Sequence, residues 1–325
     1  MRNDFPLKED LFICFSHVSY QMAARFEMRD LKIRHSQAWT QQELTATIGN
    51  TDVLVISGMW DNELLEIAPK LKFIQSISAG YDQFPLDELR RLNIRLASAR
   101  GVNRNAVSEH ALAFILGFAR HLHTGRDNQR IHHWRGLFSD LSQREQELGG
   151  MTVLIIGLGS IGSRVAQLAK TFEMRILATD LNPSETEGPV DEVHKPDSLL
   201  NLLPQADFVV LTCPLTSETE KIINKQTLSL MKESAYLINV ARGLCVDEHA
   251  LLEALCNKTI AGAGIDCFFD EPLSKTSPFW DLENVIITPH TAGETQKYED
   301  NVLDILLENI DRLSKGETKL RNEVV

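Results

Sequence analysis

Several features that would assign the chain to a particular protein class are missing from its sequence. No apolar run reaches the roughly 18 residues that a membrane-spanning helix requires, so we predict no membrane association. The opening segment, MRNDFPLKED, mixes acids with bases and holds no apolar stretch before a cleavage site, so we expect no secretory signal and a cytoplasmic protein. Low-complexity segments are absent, and PSETEGPV at 183–190 has the composition of a polar loop.

Positive charge is also scarce. The chain has 33 lysines and arginines against 45 aspartates and glutamates, a formal net charge of -12 at pH 7, and no cluster of basic residues offsets this excess. A net negative surface repels a phosphate backbone. We therefore predict no nucleic-acid partner.

The cysteines give no sign of a disulfide framework or a metal site. They form no C-x-x-C motif and lie mostly in apolar surroundings, as reduced and buried thiols do in cytosolic proteins. Adjacent residues on a helix point in different directions, so the pair His132-His133 is better placed on a surface helix than at a metal. We expect no metal ion. The five cysteines are Cys14, Cys213, Cys245, Cys256 and Cys267.

A length of 325 residues exceeds the usual size of a single core and predicts two domains with a cleft between them. In the first hundred residues, short apolar runs alternate with amphipathic segments such as 61–71 and 86–92. This alternation is typical of a parallel sheet covered by helices. The predicted strands are 11–16, 31–36, 52–57, 73–78 and 94–98.

A second alternating series begins at Met151 and predicts another doubly wound parallel sheet. Its predicted strands are 151–157, 174–180, 207–213, 235–241, 261–268 and 284–290, and helical patterns cover 163–172 and 248–258. Apolar periodicity predicts long helices at 105–122 and 294–316, the second returning to the first domain. We therefore predict an α/β protein with a discontinuous flavodoxin-like substrate domain, 1–101 plus 294–325, and a Rossmann domain, 102–293.

The segment Gly157-Leu158-Gly159-Ser160-Ile161-Gly162 follows a predicted strand and opens a helix, as a dinucleotide-binding G-x-G-x-x-G motif requires. Gly157 permits a tight turn, Gly159 lets a pyrophosphate approach the backbone, and Gly162 lets helix and strand pack closely. The helix N-terminus offers N-H groups to the diphosphate. Asp180 ends the next strand, where a carboxylate binds ribose hydroxyls and repels a 2'-phosphate. The motif predicts NAD rather than NADP; the alternative is a glycine-rich turn and a loop-capping aspartate.

Three polar residues at the ends of predicted strands in the second domain suit the reduction of a 2-oxo acid. They are Arg242, Glu271 and His290. Ligands of open α/β sheets bind at this edge. An arginine binds a carboxylate through a planar, permanently charged fork. A histidine gives and takes a proton near neutral pH, and a carboxylate beside an imidazole fixes its tautomer and favours its charged state. Taken singly, each of the three also fits an ordinary loop position.

Several motifs between 101 and 293 resemble those of the D-isomer-specific 2-hydroxyacid dehydrogenases. They are AVSEHALAFIL, GLGSIG, LTCPLTSETEKIIN, LINVARG, GAGIDCFFDEPL and TPHTAGET. The resemblance implies an NAD-dependent oxidoreductase that moves a hydride between nicotinamide and C2 of a small 2-oxo or 2-hydroxy acid. It also implies that Arg242 binds and orients the substrate, that His290 is the acid/base, and that Glu271 is the partner of His290.

The resemblance extends to other residues. Asp266 resembles the residue that holds the nicotinamide carboxamide, and the backbone positions resembling a cofactor lining are Cys213, Pro214 and Ala241. The loop Ser78-Ala79-Gly80 resembles the one whose amide N-H groups receive the substrate carboxylate, and Gly80 permits the bend; its alternative is an ordinary turn after a strand. Family members close their domains over the substrate and dimerise through the coenzyme domain, which implies a closing motion and a homodimer.

The loop Gly58-Met59-Trp60 bears on the substrate, because phosphoglycerate-oxidising relatives tend to carry polar or basic residues there. We therefore expect an unphosphorylated acid such as glyoxylate or hydroxypyruvate, or a bulkier 2-oxo acid resting on Met59 and Trp60. Alternatively, those two side chains pack into the core of their own domain.

A rival from another class is an NAD(H)-sensing corepressor with the same fold. The absence of a nuclear localisation cluster and of a long tail after the last predicted helix disfavours it. Formate dehydrogenases are also similar, but they typically have glutamine where this chain has Glu271.

Overall fold

The computed structural model describes residues 5–183 and 188–325. The first four residues, and residues 184–187 of the predicted polar loop, therefore lie outside the described residues. The chain divides into two compact units. The first comprises the residues up to Asn103 together with Thr295–Val325, and the second is Arg104–Glu294.

A five-stranded parallel sheet forms the middle of the first unit. Its strands are β1 (Phe12–Ser16), β2 (Arg34–Ala38), β3 (Val53–Ile56), β4 (Phe73–Ser76) and β5 (Arg95–Ala97). Their order, β2-β1-β3-β4-β5, is that of flavodoxin-like folds. β3 and β4 are buried along their whole length, as strands covered on both faces are. The predicted sheet is confirmed.

Short helices connect these strands. They are α1 (Met22–Glu27), α2 (Gln41–Ile48), a 3-10 helix (Asn62–Ile67) and α3 (Leu86–Leu92). The side chain of Thr40 accepts a hydrogen bond from the N-H of Glu43 and so caps the start of α2. The run predicted as a strand at 31–36 was placed too early, because Lys32 has a φ of 53° and extended backbone begins only at Arg34.

The second unit holds a seven-stranded parallel sheet. Its strands are β6 (Thr152–Ile156), β7 (Arg175–Thr179), β8 (Glu192–His194), β9 (Phe208–Leu211), β10 (Tyr236–Asn239), β11 (Gly262–Ile265) and β12 (Val285–Ile287). The order is β12-β11-β10-β9-β6-β7-β8, so the direction of winding reverses between β6 and β9. This is the Rossmann arrangement, and it confirms the predicted second doubly wound sheet. Sequence patterns missed β8 because it is short and only partly buried.

The helices of the second unit are α4 (Arg104–Ala119), α5 (Leu122–Arg130), α6 (Ser160–Thr171), α7 (Leu199–Leu202), α8 (Lys225–Leu230) and α9 (Glu248–Cys256). The prediction of one helix over 105–122 is wrong at its end. His121 adopts a left-handed φ of 50°, which ends α4 and turns the chain into α5. His132 and His133 are exposed as expected but follow the end of α5 instead of lying on a helix.

The last helix, α10 (Tyr298–Ser314), belongs to the first unit. Its apolar face, which includes Leu303, Leu306 and Ile310, is buried in one core cluster with Phe15 and Phe26. Two further clusters pack on the sheet of the second unit. Within the described ranges, no helix has both the length and the apolar character that crossing a membrane requires.

All five cysteines are free thiols. Four are buried, and Cys256 is exposed at the end of α9. In the part of the chain that the structure describes, no three histidine, cysteine, aspartate or glutamate side chains are grouped as metal ligands would be.

Candidate active site

The glycine loop lies at the point where the sheet of the second unit reverses its winding. Gly157 follows β6 and has a φ of +94°, and a Cβ there would lie 2.7 Å from the Cα of Cys213, which follows β9. A Cβ on Gly162 would lie 2.2 Å from the carbonyl oxygen of Gly157. Real Cβ atoms do not approach backbone this closely, so both positions require glycine. The loop and the start of α6 therefore pack directly on the ends of two neighbouring strands.

The start of α6 is open to a ligand. Gly159 is the N-cap and provides no capping side chain, and a Cβ added to it would meet no atom within 4 Å. The first turn of a helix has N-H groups without partners inside the helix and carries partial positive charge. The loop thus presents donors toward open space, which suits a diphosphate.

Asp180 follows β7 and is hydrogen-bonded to the glycine loop. Its Oδ2 accepts a hydrogen bond of 2.8 Å from the N-H of Leu158, and its Oδ1 accepts one of 3.0 Å from the N-H of Asn182. A carboxylate has about four acceptor positions, so ribose hydroxyls can still bind. Asp180 therefore supports the loop in addition to any contact with a cofactor, which its sequence position did not reveal.

Glu271 and His290 form a hydrogen-bonded pair. His290 Nδ1 lies 2.7 Å from Glu271 Oε2, and Glu271 Oε1 accepts a hydrogen bond of 2.9 Å from the N-H of Phe268. Burial raises the pKa of Glu271, but the hydrogen bonds from His290 and Phe268 outweigh it and hold that pKa below its usual value. Since Nδ1 donates to the carboxylate, Nε2 of the half-exposed imidazole is left for a reacting group.

Asp266 organises the loop that carries His290. Its side chain is 3% exposed, and Oδ1 accepts hydrogen bonds from the hydroxyl of Thr288 at 2.5 Å and from the N-H groups of Thr291 and Ala292 at 2.9 and 3.1 Å. Its backbone carbonyl accepts a hydrogen bond of 2.8 Å from the N-H of His290. Because these contacts surround His290, which has a left-handed φ of 55°, Asp266 fixes the backbone from which the imidazole projects.

His110, on α4, extends this arrangement. Its Nε2 lies 3.0 Å from Oγ1 of Thr288. Since the Thr288 hydroxyl gives its proton to Asp266, His110 Nε2 must be the donor. Burial lowers the pKa of His110, and the nearby Asp266 only partly offsets this effect. Burial therefore disfavours the charged form of this imidazole. Sequence patterns missed Thr288 and His110; the one signal was the position of Thr288 two residues before His290.

Arg242 lies just after β10. The side chain of Asn239 accepts a hydrogen bond from the N-H of Ala241 and donates one to the carbonyl of Arg242, at 3.1 and 3.0 Å, which fixes this turn. The guanidinium donates from Nη1 to the carbonyl of Ala241 at 2.7 Å. Its positive charge also helps to lower the pKa of Glu271. Among the described residues, no direct hydrogen bond joins Arg242 to the Glu271–His290 pair.

A pocket of about 480 Å³ opens beside the Glu271–His290 pair. Most of its lining is apolar and comes from the loops that follow β11 and β12. The lining side chains are Asp266, Phe268, Glu271, Pro272, Leu273, Trp280, Ile287, Thr288, Pro289 and His290. Low polarity around the hydrogen bond between Glu271 and His290 strengthens it.

Ser78, Ala79 and Gly80 lie in the first unit, directly after β4, and Ala79 and Gly80 are exposed. In the same unit, Met59 and Trp60 are partly buried against a core cluster, and the Trp60 ring packs on Phe84 with 4.9 Å between centroids. These contacts agree with the alternative that Met59 and Trp60 pack into their own domain.

Comparison with known proteins decides the family. Residues 112–292 match the NAD binding domain of the D-isomer specific 2-hydroxyacid dehydrogenases. A glyoxylate reductase from Pyrococcus furiosus is 35% identical over 294 residues, which cover 88% of this chain and 87% of that protein. The chain belongs to the D-isomer specific 2-hydroxyacid dehydrogenases.

Two further relatives agree. The glyoxylate/hydroxypyruvate reductase B of Pectobacterium carotovorum is 34% identical to this dehydrogenase over 300 residues, covering 89% of this chain and 93% of that protein. The crystal structure of a D-isomer specific 2-hydroxyacid dehydrogenase family protein from Aeromonas salmonicida superposes with a TM-score of 0.82 at 28% identity, covering 97% and 99% of the two chains. The dehydrogenase is an NAD-dependent oxidoreductase acting between 2-oxo and D-2-hydroxy acids.

The residues of the second unit fit NAD. The uncapped start of α6 suits the diphosphate, and Asp180 retains acceptor positions for ribose hydroxyls. Oδ1 of Asp266 accepts its hydrogen bonds from the loop that carries His290. Oδ2 accepts one hydrogen bond, of 3.1 Å, from the N-H of Ala292. A second acceptor position on Oδ2 is therefore left for a carboxamide. When bound, the nicotinamide supplies or receives the hydride.

Proposed function

We propose that this dehydrogenase reduces a small unphosphorylated 2-oxo acid such as glyoxylate or hydroxypyruvate with NADH. The names of the relatives support this substrate class. The loop Gly58–Trp60 also supports it, because it contains no arginine that could bind a phosphate. The observation that carries the proposal is the 2.7 Å hydrogen bond between His290 and Glu271 at the edge where ligands of such sheets bind.

Each catalytic residue has a defined task in this proposal. The guanidinium of Arg242 and the amides of the Ser78–Gly80 loop hold the substrate carboxylate. His290 gives the proton on Nε2 to the carbonyl oxygen as the hydride reaches C2, and takes it back in the reverse direction. Glu271 keeps the imidazole in the tautomer that places a proton on Nε2 and stabilises its charged form.

We assign the two roles to the two predicted domains, with 1–101 plus 294–325 binding the substrate and 102–293 binding NAD. The family match at 112–292 supports the second assignment. The exposed loop Ser78–Gly80 in the first unit supports the first. A closing motion of the two domains would exclude water during hydride transfer.

The test is NADH oxidation with glyoxylate, hydroxypyruvate, pyruvate, phenylpyruvate, 2-oxoisocaproate and 3-phosphohydroxypyruvate, with NADPH in parallel. We expect the highest kcat/KM with glyoxylate or hydroxypyruvate and with NADH. Preference for the phosphorylated acid would refute the substrate class, and preference for NADPH would refute the role of Asp180.

Arg242→Ala and His290→Ala test the catalytic assignment. Each should lower kcat/KM by roughly a thousandfold or more, because each removes a contact to the reacting acid. The dissociation constant for NADH, measured by fluorescence, should stay within about threefold, since neither side chain is assigned to the cofactor. His249→Asn, which changes an exposed histidine on α9, is the matched control. Near-normal turnover of the His290 variant would remove it as the acid/base.

We also propose a homodimer formed through the coenzyme unit. An apolar arm follows α5 and exposes Ile131, Trp134, Leu137 and Leu141, whose side chains are 74%, 97%, 100% and 75% exposed. Several large apolar side chains exposed so close together in sequence favour a surface that a partner covers. Sedimentation should give a dimer that Trp134→Ser with Leu137→Ser converts to a monomer; a wild-type monomer would refute the proposal.

The compartment that we propose is the cytoplasm. Five free thiols in one chain are typical of a reducing compartment. Fractionation of cells producing the untagged protein, with a cytoplasmic marker enzyme, tests this assignment.

A further inference from the structure

A chain of side-chain hydrogen bonds lies beneath the Ser78–Gly80 loop of the first unit. Gln83 Nε2 donates to Ser57 Oγ at 3.3 Å, Ser57 Oγ lies 2.6 Å from Ser78 Oγ, and Ser78 Oγ donates to the carbonyl of Gly80 at 3.1 Å. Ser57 follows β3, and Ser78 follows β4. The chain thus joins the ends of two adjacent strands to one peptide of the loop.

The donor and acceptor of each hydrogen bond in this series can be assigned by counting protons. A hydroxyl has one proton and two acceptor positions. Because the amide of Gln83 donates to Ser57, the hydroxyl of Ser57 is available to donate to Ser78, and the proton of Ser78 goes to the carbonyl of Gly80. The hydroxyl of the buried Ser76 lies beside the same groups, 3.3 Å from Ser78 Oγ and 3.5 Å from the carbonyl of Gly80. Its shortest acceptor is the carbonyl of Ser78 at 3.1 Å, and it accepts a hydrogen bond from the N-H of Ser78 at 3.2 Å.

These bonds fix two peptide planes of the loop. The carbonyl of Ser78 accepts hydrogen bonds from Ser76 Oγ and from the N-H of Ala99 at 2.9 Å. The carbonyl of Gly80 accepts the hydrogen bond from Ser78. In a trans peptide the N-H points opposite to the C=O. The N-H groups of Ala79 and Tyr81 therefore point away from the serines, and no acceptor among the described residues engages either of them.

We propose that Ser78, supported by Ser57, is a positioning residue for substrate binding. Its hydroxyl holds the loop so that the N-H group of Tyr81 joins those of Ala79 and Gly80 as preformed donors for the carboxylate of the 2-oxo acid. This inference rests on the proposed function, which assigns the carboxylate to this loop, and it adds Tyr81 as a donor. A rigid loop loses little conformational entropy on binding. Removing the Ser78 hydroxyl that holds the loop should therefore weaken substrate binding more than it slows turnover.

The test compares Ser78→Ala, Ser78→Thr and Ser57→Ala with Thr45→Ala, which removes a hydroxyl from exposed α2 in the same unit. We expect Ser78→Ala to raise KM for glyoxylate about tenfold with kcat within about twofold, because one hydrogen bond that orders the loop is lost. Ser57→Ala should raise KM less, since Ser78 keeps its own bond to Gly80. Ser78→Thr should restore KM, and Thr45→Ala should leave it unchanged.

Binding of oxamate to the enzyme–NADH complex, followed by fluorescence, provides a second readout that does not depend on turnover. We expect its dissociation constant to rise in parallel with KM, at unchanged affinity for NADH. Unchanged oxamate binding and KM in Ser78→Ala, or a loss of kcat at constant KM, would overturn the inference. If Ser78→Ala fails to fold, a normal KM and oxamate affinity in Ser57→Ala would overturn it instead. Lack of turnover of every 2-oxo acid by the wild type would refute the proposed function, and the oxamate comparison would still decide the role of the serines.

Discussion

Replacing Thr288 with valine would remove one hydroxyl from the contacts that hold the His290 loop. Valine keeps the branched shape at Cβ, and the backbone hydrogen bond from Thr288 N-H to the carbonyl of Ile265 stays in place. The substitution removes the hydroxyl that donates a 2.5 Å hydrogen bond to Asp266 and accepts a hydrogen bond from His110. The variant therefore tests whether Asp266 depends on this side chain to order the loop.

The loss should be substantial because Asp266 is buried. A hydrogen bond to a charged group contributes about 1.5–3 kcal/mol. Asp266 keeps the N-H donors of Thr291 and Ala292, so we expect a loss of about 2 kcal/mol, near the lower part of that range. For a unit of this size, that corresponds to a decrease in Tm of about 4–8 °C. A less ordered His290 loop should also reduce kcat by about tenfold, the effect of about 1.4 kcal/mol on the barrier.

Urea unfolding and steady-state kinetics would measure both effects. The urea midpoint should decrease at constant m-value, which identifies a change in stability. Thr276→Val, the same substitution at an exposed position of the second unit, is the control and should change neither quantity. A Thr288→Val enzyme with wild-type stability and wild-type kcat would show that the loop does not depend on this hydroxyl.

Three further predictions concern pH and the glycine loop. Glu271→Gln should move the alkaline limb of the kcat profile for reduction toward acid by less than about one pH unit. Glu271 and His290 are 37% and 46% exposed, and an exposed ion pair contributes up to about 1 kcal/mol; an unchanged limb would remove Glu271 from its assigned role. Because burial holds the pKa of His110 below its usual 6.5, its contribution to stability is present above pH 6.5 and is lost as the pH falls through the lowered value. The free energy of unfolding should therefore depend less steeply on pH in His110→Gln, and equal slopes would contradict this. Gly162→Ala should lower Tm, because the added Cβ would lie 2.2 Å from a loop carbonyl. Gly159→Ala should keep the wild-type Tm, because its Cβ would meet no atom within 4 Å, but it should weaken NADH binding. Equal effects of the two substitutions on Tm would refute the distinction.

Local sequence patterns were sufficient to predict both sheets and the glycine loop. Parallel strands buried on both faces are apolar along their length, and G-x-G-x-x-G between a strand and a helix has few other structural uses. Patterns failed where one residue's backbone conformation decided the outcome. His121 ends α4 within a continuous apolar stretch, and Lys32 delays β2.

The candidate site could be predicted only in part because its contacts join residues distant in sequence. The positions of Arg242, Glu271 and His290 after strands indicated a shared edge. The hydrogen bonds of Thr288 and His110 could not be inferred, since they depend on how loops fold around Asp266. Side-chain hydroxyls are too common in sequences to mark such roles by themselves.

The hydrogen bond between Asp180 and Leu158 has a consequence for attempts to change the coenzyme of this dehydrogenase. In the cofactor role that we propose for Asp180, its carboxylate after β7 repels a 2'-phosphate, so accepting NADPH would require its removal. The same oxygens accept hydrogen bonds from Leu158 and Asn182, so an asparagine, with one acceptor oxygen, satisfies only part of them. A substitution that admits NADPH will therefore loosen the diphosphate loop and weaken both coenzymes, unless a second change restores an acceptor for the N-H of Leu158.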